Sequence, residues 1–302
     1  MIRRLSAIAI AATASAILLA GCDTVNRAVE IGTTAAVATG HLSAAQAQGI
    51  NRSAAAVTKT FEDITPEQEH YIGRTVAATC LSRYPALDEP RLNAYLNLLG
   101  QALSRFSSRP ETFGGYHFLL LDSDDINAFA APGGLILVTR GLVACCATED
   151  ELAAVLAHEI GHVQNRDGLR AIRTGRLNGA LTTIASESAK SLVGPELAEV
   201  TAAFDDSIQE ITGTLVNSGY SRRQEFQADA AAVAILRAAG YPPAALVAML
   251  RNMESRWDPS RHDFAATHPS PSDRIAHLAK LVPETDAPAS PVRTRRFLDA
   301  TR

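Results

Sequence analysis

Aromatic residues are scarce in this chain. Phe, Trp and Tyr make up 5% of its 302 residues, and only one residue is Trp. Alanine is abundant instead, and it has the highest helix propensity of all residues. This balance favours helices packed through small side chains over a large β-sandwich. The hydrophobic fraction of 47% is ordinary for a globular protein that buries a core.

Positive charge is not in excess either, since the formal net charge is −4. The chain has no basic stripe with interleaved aromatic residues, so nucleic acid is not an expected partner. It has no internal repeat. No apolar run in residues 170–218 reaches membrane-spanning length, which predicts a soluble body.

The first residues are typical of a bacterial export signal. Arg3 and Arg4 precede sixteen almost entirely apolar residues, 5–20, a run too short for a typical transmembrane helix. The run ends in Leu19-Ala20-Gly21-Cys22, which resembles the lipobox of bacterial lipoproteins. We predict that residues 1–21 are a signal peptide and that a lipid on Cys22 anchors the chain to a membrane, facing the periplasm. The alternative is an uncleaved anchor with a chance cysteine, and the sequence leaves inner or outer membrane open.

Cysteine is rare, and three residues remain once Cys22 is assigned to lipid. Cys80, Cys145 and Cys146 match no zinc-ribbon spacing. In an oxidising compartment Cys80 could form a disulfide with Cys145 or Cys146. Alternatively, all three are small buried hydrophobic residues.

Composition divides the chain after the signal into three parts. Residues 22–59 are rich in Ala, Thr, Ser, Gln and Gly and predict a tether with some helix. Residues 60–282 predict one domain. Residues 283–302, with prolines and scattered arginines, predict a disordered tail.

Periodicity within residues 60–282 predicts a mainly helical α+β fold. Three short strands are expected at residues 116–121, 127–130 and 134–139, with a turn at Pro132-Gly133-Gly134. Helices are expected at residues 65–83 and 90–106, from Thr148, within 170–218, and at 221–240, 243–257 and 273–281. The small sheet would lie beside the helix that begins at Thr148.

The segment His158-Glu159-Ile160-Gly161-His162 lies in the middle of that helix. Residues four apart share one helical face, so both imidazoles can bind one metal ion. Glu159 is rotated from His158 by about 100° and could act as general base on the attacking water. The alternative is two surface histidines. A capped helix start at Thr148 and an apolar opposite face favour the metal site.

A second segment, Ser221 to Asp229, supplies a candidate third ligand. Glu225 and Asp229 are again four residues apart on one face. We predict that Glu225 binds the metal and that Asp229 orients one of the histidines through its ring N–H. The alternative is a solvated acidic face, although a like-charge pair at this spacing is slightly unfavourable.

Five motifs in order resemble the gluzincin metallopeptidases that include HtpX, the CAAX prenyl protease and periplasmic lipoprotein peptidases. The resemblance covers about residues 65–281. The motifs are Ile72-Gly73-Arg74, Asn127 to Gly134, Glu151-Leu152-Ala153, Ser221 to Asp229, and Thr267-His268-Pro269 with Arg274. Taken alone, His268 between loop prolines would only suggest an exposed histidine.

The resemblance implies a zincin-like domain with one Zn²⁺ on His158, His162 and Glu225, and Glu159 as base. It implies a supporting role for Asp229 and a position near the cleft for Arg274. His268 would approach the zinc as a plug or as a transition-state contact. The strand residues that would pair with an extended substrate are Asn127, Ala128, Phe129 and Ala130. Where relatives often carry a further, non-ligand histidine, this chain has Asp167.

These observations predict a zinc-dependent endopeptidase of the bacterial cell envelope that cleaves misfolded or misassembled proteins. One alternative is a chaperone-like zinc-binding lipoprotein, latent behind His268. Another is a structural lipoprotein without metal. An intact base at Glu159 favours the enzyme. Protein or peptide substrates are expected, a prenylated membrane substrate is not, and the oligomeric state stays open.

Overall fold

A computed structural model of the protein describes residues 22–40, 42–61, 64–171, 213, 219–256, 268–282 and 290–301. The predicted signal peptide and most of residues 170–218 lie outside these ranges. The chain forms two compact units. Among the described residues, no helix combines the length and the apolar character that a membrane crossing requires.

The smaller unit contributes two described helices, α1 (Cys22–Ala38) and α2 (Ala44–Phe61). The two helices contact each other, and Thr33 Oγ1 donates a hydrogen bond to Asn51 Oδ1 over 2.9 Å. The helix content that we expected in residues 22–59 is therefore present. Their role as a tether, like the lipid on Cys22, stays a prediction.

The larger unit begins with two helices, α3 (Pro66–Arg83) and α4 (Pro90–Ser104). Thr65 caps α3, and its side chain forms a reciprocal pair of hydrogen bonds with Gln68. Proline at the first helical position suits both helices, because the N–H that it lacks would have no partner inside the helix.

A three-stranded sheet follows, made of β1 (His117–Leu121), β2 (Ala128–Ala131) and β3 (Leu135–Thr139). The strand order is β1-β3-β2, with β1 parallel and β2 antiparallel to β3. A single 3₁₀ turn, Pro132–Gly134, joins β2 to β3, and φ is 78° at Gly133 and 98° at Gly134. Strand β2 thus lies at one edge of the sheet.

Among the described residues, the larger unit has six further helices: α5 (Arg140–Cys145), α6 (Glu149–Gln164), α7 (Arg222–Ala239), α8 (Ala244–Ser255), α9 (Pro271–Leu278) and α10 (Pro291–Thr301). Helix α6 is central, and every residue from Glu149 to Val163 is buried. Helix α7 packs along it so closely that a Cβ on Gly161 would lie 2.9 Å from the Ala228 carbonyl oxygen. The mainly helical fold with a small sheet beside α6 confirms the predicted fold class.

The predicted disordered tail is wrong for residues 291–301, which form α10. Phe297 is buried in the core, and Arg296 pairs with the buried carboxylate of Glu149. The composition of residues 283–302 does not predict these contacts, because the core around Phe297 and the carboxylate of Glu149 lie elsewhere in the larger unit.

The disulfide hypothesis is also wrong for this structure. Cys80, Cys145 and Cys146 are all buried, and no disulfide joins any two of them. They act as small hydrophobic side chains, and burial raises the pKa of the Cys80 thiol to about 11.

Candidate metal centre

Two imidazoles from consecutive turns of α6 face each other in the buried interior. The Nε2 atoms of His158 and His162 are 3.2 Å apart. The two side chains are 3% and 1% exposed. The four-residue spacing on one helix therefore brings the two nitrogens together, as the sequence predicts.

Glu225 brings a carboxylate to the same point from α7. Its Oε2 lies 3.4 Å from Nε2 of His158, and its Oε1 lies 3.4 Å from Nε2 of His162. Ser221 and Gln224 form the capping box that begins α7, so Glu225 falls in the first turn of the helix. A fully buried carboxylate in this position needs positive charge nearby.

Each of the two histidines has a carboxylate within hydrogen-bonding distance of its other ring nitrogen, Nδ1. Nδ1 of His158 is 2.9 Å from Asp229 Oδ1, and Nδ1 of His162 is 2.8 Å from Asp167 Oδ2. When each ring is neutral and its Nδ1 proton faces the carboxylate, the Nε2 lone pair lies on the side of Glu225. A metal ion at this point would bind the two rings in that neutral form.

Asp167 is a residue that sequence reasoning missed. It follows α6 after Arg166, whose φ of 54° is the only positive φ of a non-glycine residue in the described ranges. Arg170 and Gln224 donate to its other oxygen over 3.2 and 3.3 Å. The sequence does show an acidic residue five positions after His162. Its carboxylate reaches the His162 ring only because of the turn at Arg166.

Arg274 on α9 is fully buried and forms a salt bridge with Asp229. Its Nε donates to Asp229 Oδ2 over 3.0 Å, and its Nη2 donates to Oδ1. Burial would raise the pKa of Asp229, but Arg274 and His158 outweigh it and hold that pKa well below its usual value. The carboxylate behind His158 therefore stays ionised.

His268 also reaches the cluster, from the segment just before α9. Its Nδ1 lies 2.7 Å from Glu225 Oε2, and its side chain is 5% exposed. One ligand atom each from His158, His162, Glu225 and His268 lie within 4.8 Å of one another. Burial lowers the pKa of His268.

The cluster has the properties of a cation site. Oε1 of Glu225 is buried without a regular hydrogen bond. Burial alone would lower the pKa of His162, but Glu225 and Asp167 raise it to about 10. Two imidazole nitrogens and a carboxylate that face one point favour the binding of a cation there. This donor set and its backing carboxylates fit a metal ion, and they are a common ligand set for zinc.

Glu159, the predicted base, is 2% exposed and lies on α6 beside the cluster. Burial lowers the pKa of His162, Glu225 and Asp167 raise it more strongly, and the negative charge of Glu159 raises it further. The carboxylate is therefore within electrostatic range of the site.

The four predicted substrate-binding residues at β2 have different surroundings. Ala130 is linked to the cluster through Tyr220: its carbonyl accepts a hydrogen bond from the Tyr220 hydroxyl over 3.4 Å, and the Tyr220 ring lies 4.5 Å from that of His162. Phe129 packs against Tyr84 in the core. The Asn127 side chain, just before the strand, accepts a hydrogen bond from the N–H of Ala128. Sequence reasoning missed Tyr220, for which the sequence gives no signal.

Comparison with known proteins places the chain in a family. The model of peptidase family M48 matches residues 90–282, which is more than half of the chain. Over 216 residues the chain is 29% identical to the beta-barrel assembly-enhancing protease of Escherichia coli O157:H7, covering 69% of this chain and 42% of that protein.

Two further relatives are similar over shorter stretches. The metalloprotease LoiP of Escherichia coli K12 is 28% identical over 188 residues, 62% of this chain and 68% of LoiP. The mitochondrial metalloendopeptidase OMA1 of Schizosaccharomyces pombe is 31% identical over 164 residues, 52% of this chain and 44% of OMA1. The match thus spans about two fifths of the length of the beta-barrel assembly-enhancing protease. The extent of the family match nevertheless decides the family: the chain belongs to peptidase family M48.

Proposed function

We propose that this protein is a zinc-dependent endopeptidase of the bacterial cell envelope. The observation that carries the proposal is the convergence of His158 Nε2, His162 Nε2 and Glu225, with a carboxylate behind each ring. Three protein ligands of this kind, with a position left for water, are typical of catalytic zinc. When bound, zinc acts as a Lewis acid that makes water more acidic and polarises a carbonyl.

The chain's own residues supply the other parts of the reaction. Glu159 is the candidate base that accepts the proton of the water attacking the peptide carbonyl. Edge strand β2 could hold an extended substrate through main-chain hydrogen bonds. Such pairing requires an unfolded segment, which fits a protease acting on misfolded or misassembled proteins. The printed name of the beta-barrel assembly-enhancing protease links a relative to protein assembly and supports substrates of this kind.

The test combines metal content with cleavage of unfolded casein. We expect one zinc per chain in the wild type and in Glu159→Gln, because the substitution leaves every ligand in place. Turnover should fall by about 10²–10⁴-fold, the effect of losing general acid–base help. Glu111→Gln, at an exposed position, is the matched control and should keep full activity. Wild-type activity in Glu159→Gln, or a wild type without zinc, would refute the assignment.

A second candidate function, a latent zinc-binding protein without turnover, is favoured by one observation. His268 is hydrogen-bonded to Glu225 at 2.7 Å and could occupy the position that the attacking water needs. In the casein assay, His268→Ala should then raise basal cleavage. A fall of about 10²–10³-fold would instead identify His268 as a hydrogen-bond donor to the oxyanion. Unchanged kinetics would remove it from the site.

A further inference from the structure

Glu69 on α3 is a buried carboxylate that the proposed reaction does not use. It is 1% exposed and accepts two hydrogen bonds of 2.7 Å from the guanidinium of Arg109, one at each oxygen. Its Oε1 also accepts a hydrogen bond from the N–H of Gly133 over 3.2 Å, and its Oε2 lies 4.0 Å from Nε of Arg166. A charge inside a protein needs such partners, because burying it without them is costly. The three partners come from three different segments of the larger unit.

Two of these partners lead to the turn that follows α6, residues 164–168, which we call the Asp167 turn. Arg166 belongs to it and has its left-handed backbone, with a φ of 54°. Ser108 is the neighbour of Arg109, and its N–H donates a hydrogen bond over 3.0 Å to Oε1 of Gln164, the last residue of α6. Glu69 is thus linked to the start and to the middle of the Asp167 turn.

The third partner leads to the end of the Asp167 turn. Gly133 follows Pro132, and a Cβ built on Gly168 would lie 2.9 Å from Cγ of Pro132. A side chain at position 168 would push the two segments apart, so glycine permits this approach. Helix α3 lies equally close on the other side, where a Cβ on Gly73 would overlap the carbonyl oxygen of Pro132. The 3₁₀ turn after β2 is therefore packed between α3 and the Asp167 turn.

Asp167 itself lies between the residues that these contacts hold. Its carboxylate is completely buried, and its Oδ2 lies 2.8 Å from Nδ1 of His162. The residue before it, Arg166, contacts Glu69 directly. The residue after it, Gly168, packs against the 3₁₀ turn whose Gly133 N–H binds Glu69. A change at Glu69 should therefore reach the Asp167 carboxylate from both sides.

We propose that Glu69 is a positioning residue of the metal centre, which fixes the Asp167 turn and thereby the carboxylate that orients His162. The proposal rests on the proposed function, because the orientation of His162 affects zinc affinity only if that ring binds zinc. Removing the partner of a metal-binding histidine typically lowers metal affinity by about 10–100-fold. Glu69 acts one contact further from the ring, so its effect should be smaller and should depend on Asp167.

A double-mutant cycle on zinc affinity tests this dependence. The full chain is compared as wild type, Glu69→Gln, Asp167→Ala and the double variant, by competition with a chromogenic chelator. We expect Glu69→Gln to lower the zinc affinity of the wild type about 3–30-fold, in the range of coupling within one hydrogen-bond network. In the Asp167→Ala background the same change should alter the affinity by less than about twofold, because the coupled partner is gone. An equal fall in both backgrounds, or no fall in the wild type, would overturn the proposal.

Two further variants control for charge and for folding. Glu67→Gln makes the same charge change at an exposed position in the first turn of α3 and should keep the wild-type affinity. Glu69→Gln leaves the Arg109 guanidinium without its carboxylate, a change that can prevent folding. In that event Gln164→Ala combined with Arg166→Ala takes its place, since it removes two of the contacts to the turn and leaves the buried pair intact. This combination should lower zinc affinity with the same dependence on the background, and an unchanged affinity would contradict the proposal.

Hydrogen exchange of the metal-free protein gives a second readout that does not involve zinc. Peptides that cover residues 164–168 and residues 152–160 are compared between the wild type and Glu69→Gln, or the variant that replaces it. We expect the larger loss of protection in the Asp167 turn, because local opening releases only the segment whose contacts are removed. A larger loss in residues 152–160 would show that Glu69 serves global stability alone, which would overturn its positioning role. A wild type that binds no zinc, together with a turn that loses protection, would count against the proposed function and not against the positioning of the turn.

Discussion

His162 makes a polar contact through each of its two ring nitrogens. Its Nε2 faces Glu225 and its Nδ1 donates to Asp167, whose carboxylate is completely buried. The left-handed backbone at Arg166 is the local condition for this contact, and for a non-glycine residue it costs about 1 kcal/mol or more. The turn therefore persists because the surrounding contacts, including those from Arg170 and Gln224 to Asp167, hold it.

Removing Asp167 should weaken metal binding. In Asp167→Ala the His162 ring loses the partner that fixes its tautomer and orientation, so zinc affinity should fall by about 10–100-fold. Asp167→Asn retains an oxygen that accepts the Nδ1 proton and should stay closer to the wild type. Affinity is measured by competition with a chromogenic chelator, with exposed Asp122→Ala as control. Equal affinities for wild type and Asp167→Ala would show that the contact does not support the metal site.

The residues of the cluster differ in how far the sequence predicts them. Spacing of four on one helix was enough to bring His158 to His162, and that convergence is observed. The contact of Asp229 with His158 depends in addition on the packing of α7 against α6. Their roles toward a metal stay predictions. Asp167 and Tyr220 were not predictable, because one depends on a left-handed turn and the other on how α7 meets β2.

The sequence explains only part of the first turn of α6. Three acids there suit the positive end of the helix dipole. The structure adds specific partners for Glu149, which is fully buried and accepts hydrogen bonds from Tyr95, Tyr241 and Arg296. Three different segments thus meet at one carboxylate at the start of the helix that carries the site.

Glu149 should make folding stability depend on acid. Burial would raise its pKa, but Arg296 and the two tyrosines outweigh burial and hold that pKa below the ordinary value of 4.5. A carboxylate with a lowered folded-state pKa stabilises the fold above the ordinary value, and this contribution is lost as pH falls through the folded-state pKa. At pH 7, Glu149→Gln should lower the unfolding free energy by about 1–3 kcal/mol.

Urea denaturation from pH 7 down to pH 3 tests this expectation. The difference between wild type and Glu149→Gln should be constant at neutral pH and shrink below pH 4.5. Glu254→Gln, at an exposed position of α8, should show no such difference at any pH. A gap that widens on acidification would mean that the sign of the pKa shift is wrong.

Elements with local signals were predicted to within a few residues. The capping boxes at Thr65 and Ser221 mark the starts of α3 and α7, and Gly240 in the left-handed region ends α7. Helix α10 was missed because its stability comes from partners far away in the chain, Glu149 for Arg296 and Asp150 for Arg293. The composition of a segment shows how polar it is. It does not show which residues of the folded protein will contact that segment.

At the scale of the whole molecule, the site is assembled from segments distant in sequence. Helix α6 supplies two histidines, α7 a carboxylate, and the segment before α9 a histidine 43 residues after Glu225. Arg274 ties α9 to α7 through Asp229. The site therefore depends on the packing of the larger unit, and changes in residues 1–22 should leave the ligand geometry intact.

Membrane attachment can thus be tested separately from the metal centre. We expect Cys22→Ala to release the protein from the membrane fraction while its zinc content stays the same. The reason is the Leu19-Ala20-Gly21-Cys22 sequence, which predicts a lipid on Cys22. Each buried CH₂ of an acyl chain contributes about 0.8 kcal/mol to membrane binding, so losing the acyl chains should decide the partition. Fractionation and zinc analysis of both proteins give the answer, and a variant that remains in the membrane pellet would indicate an uncleaved N-terminal helix instead.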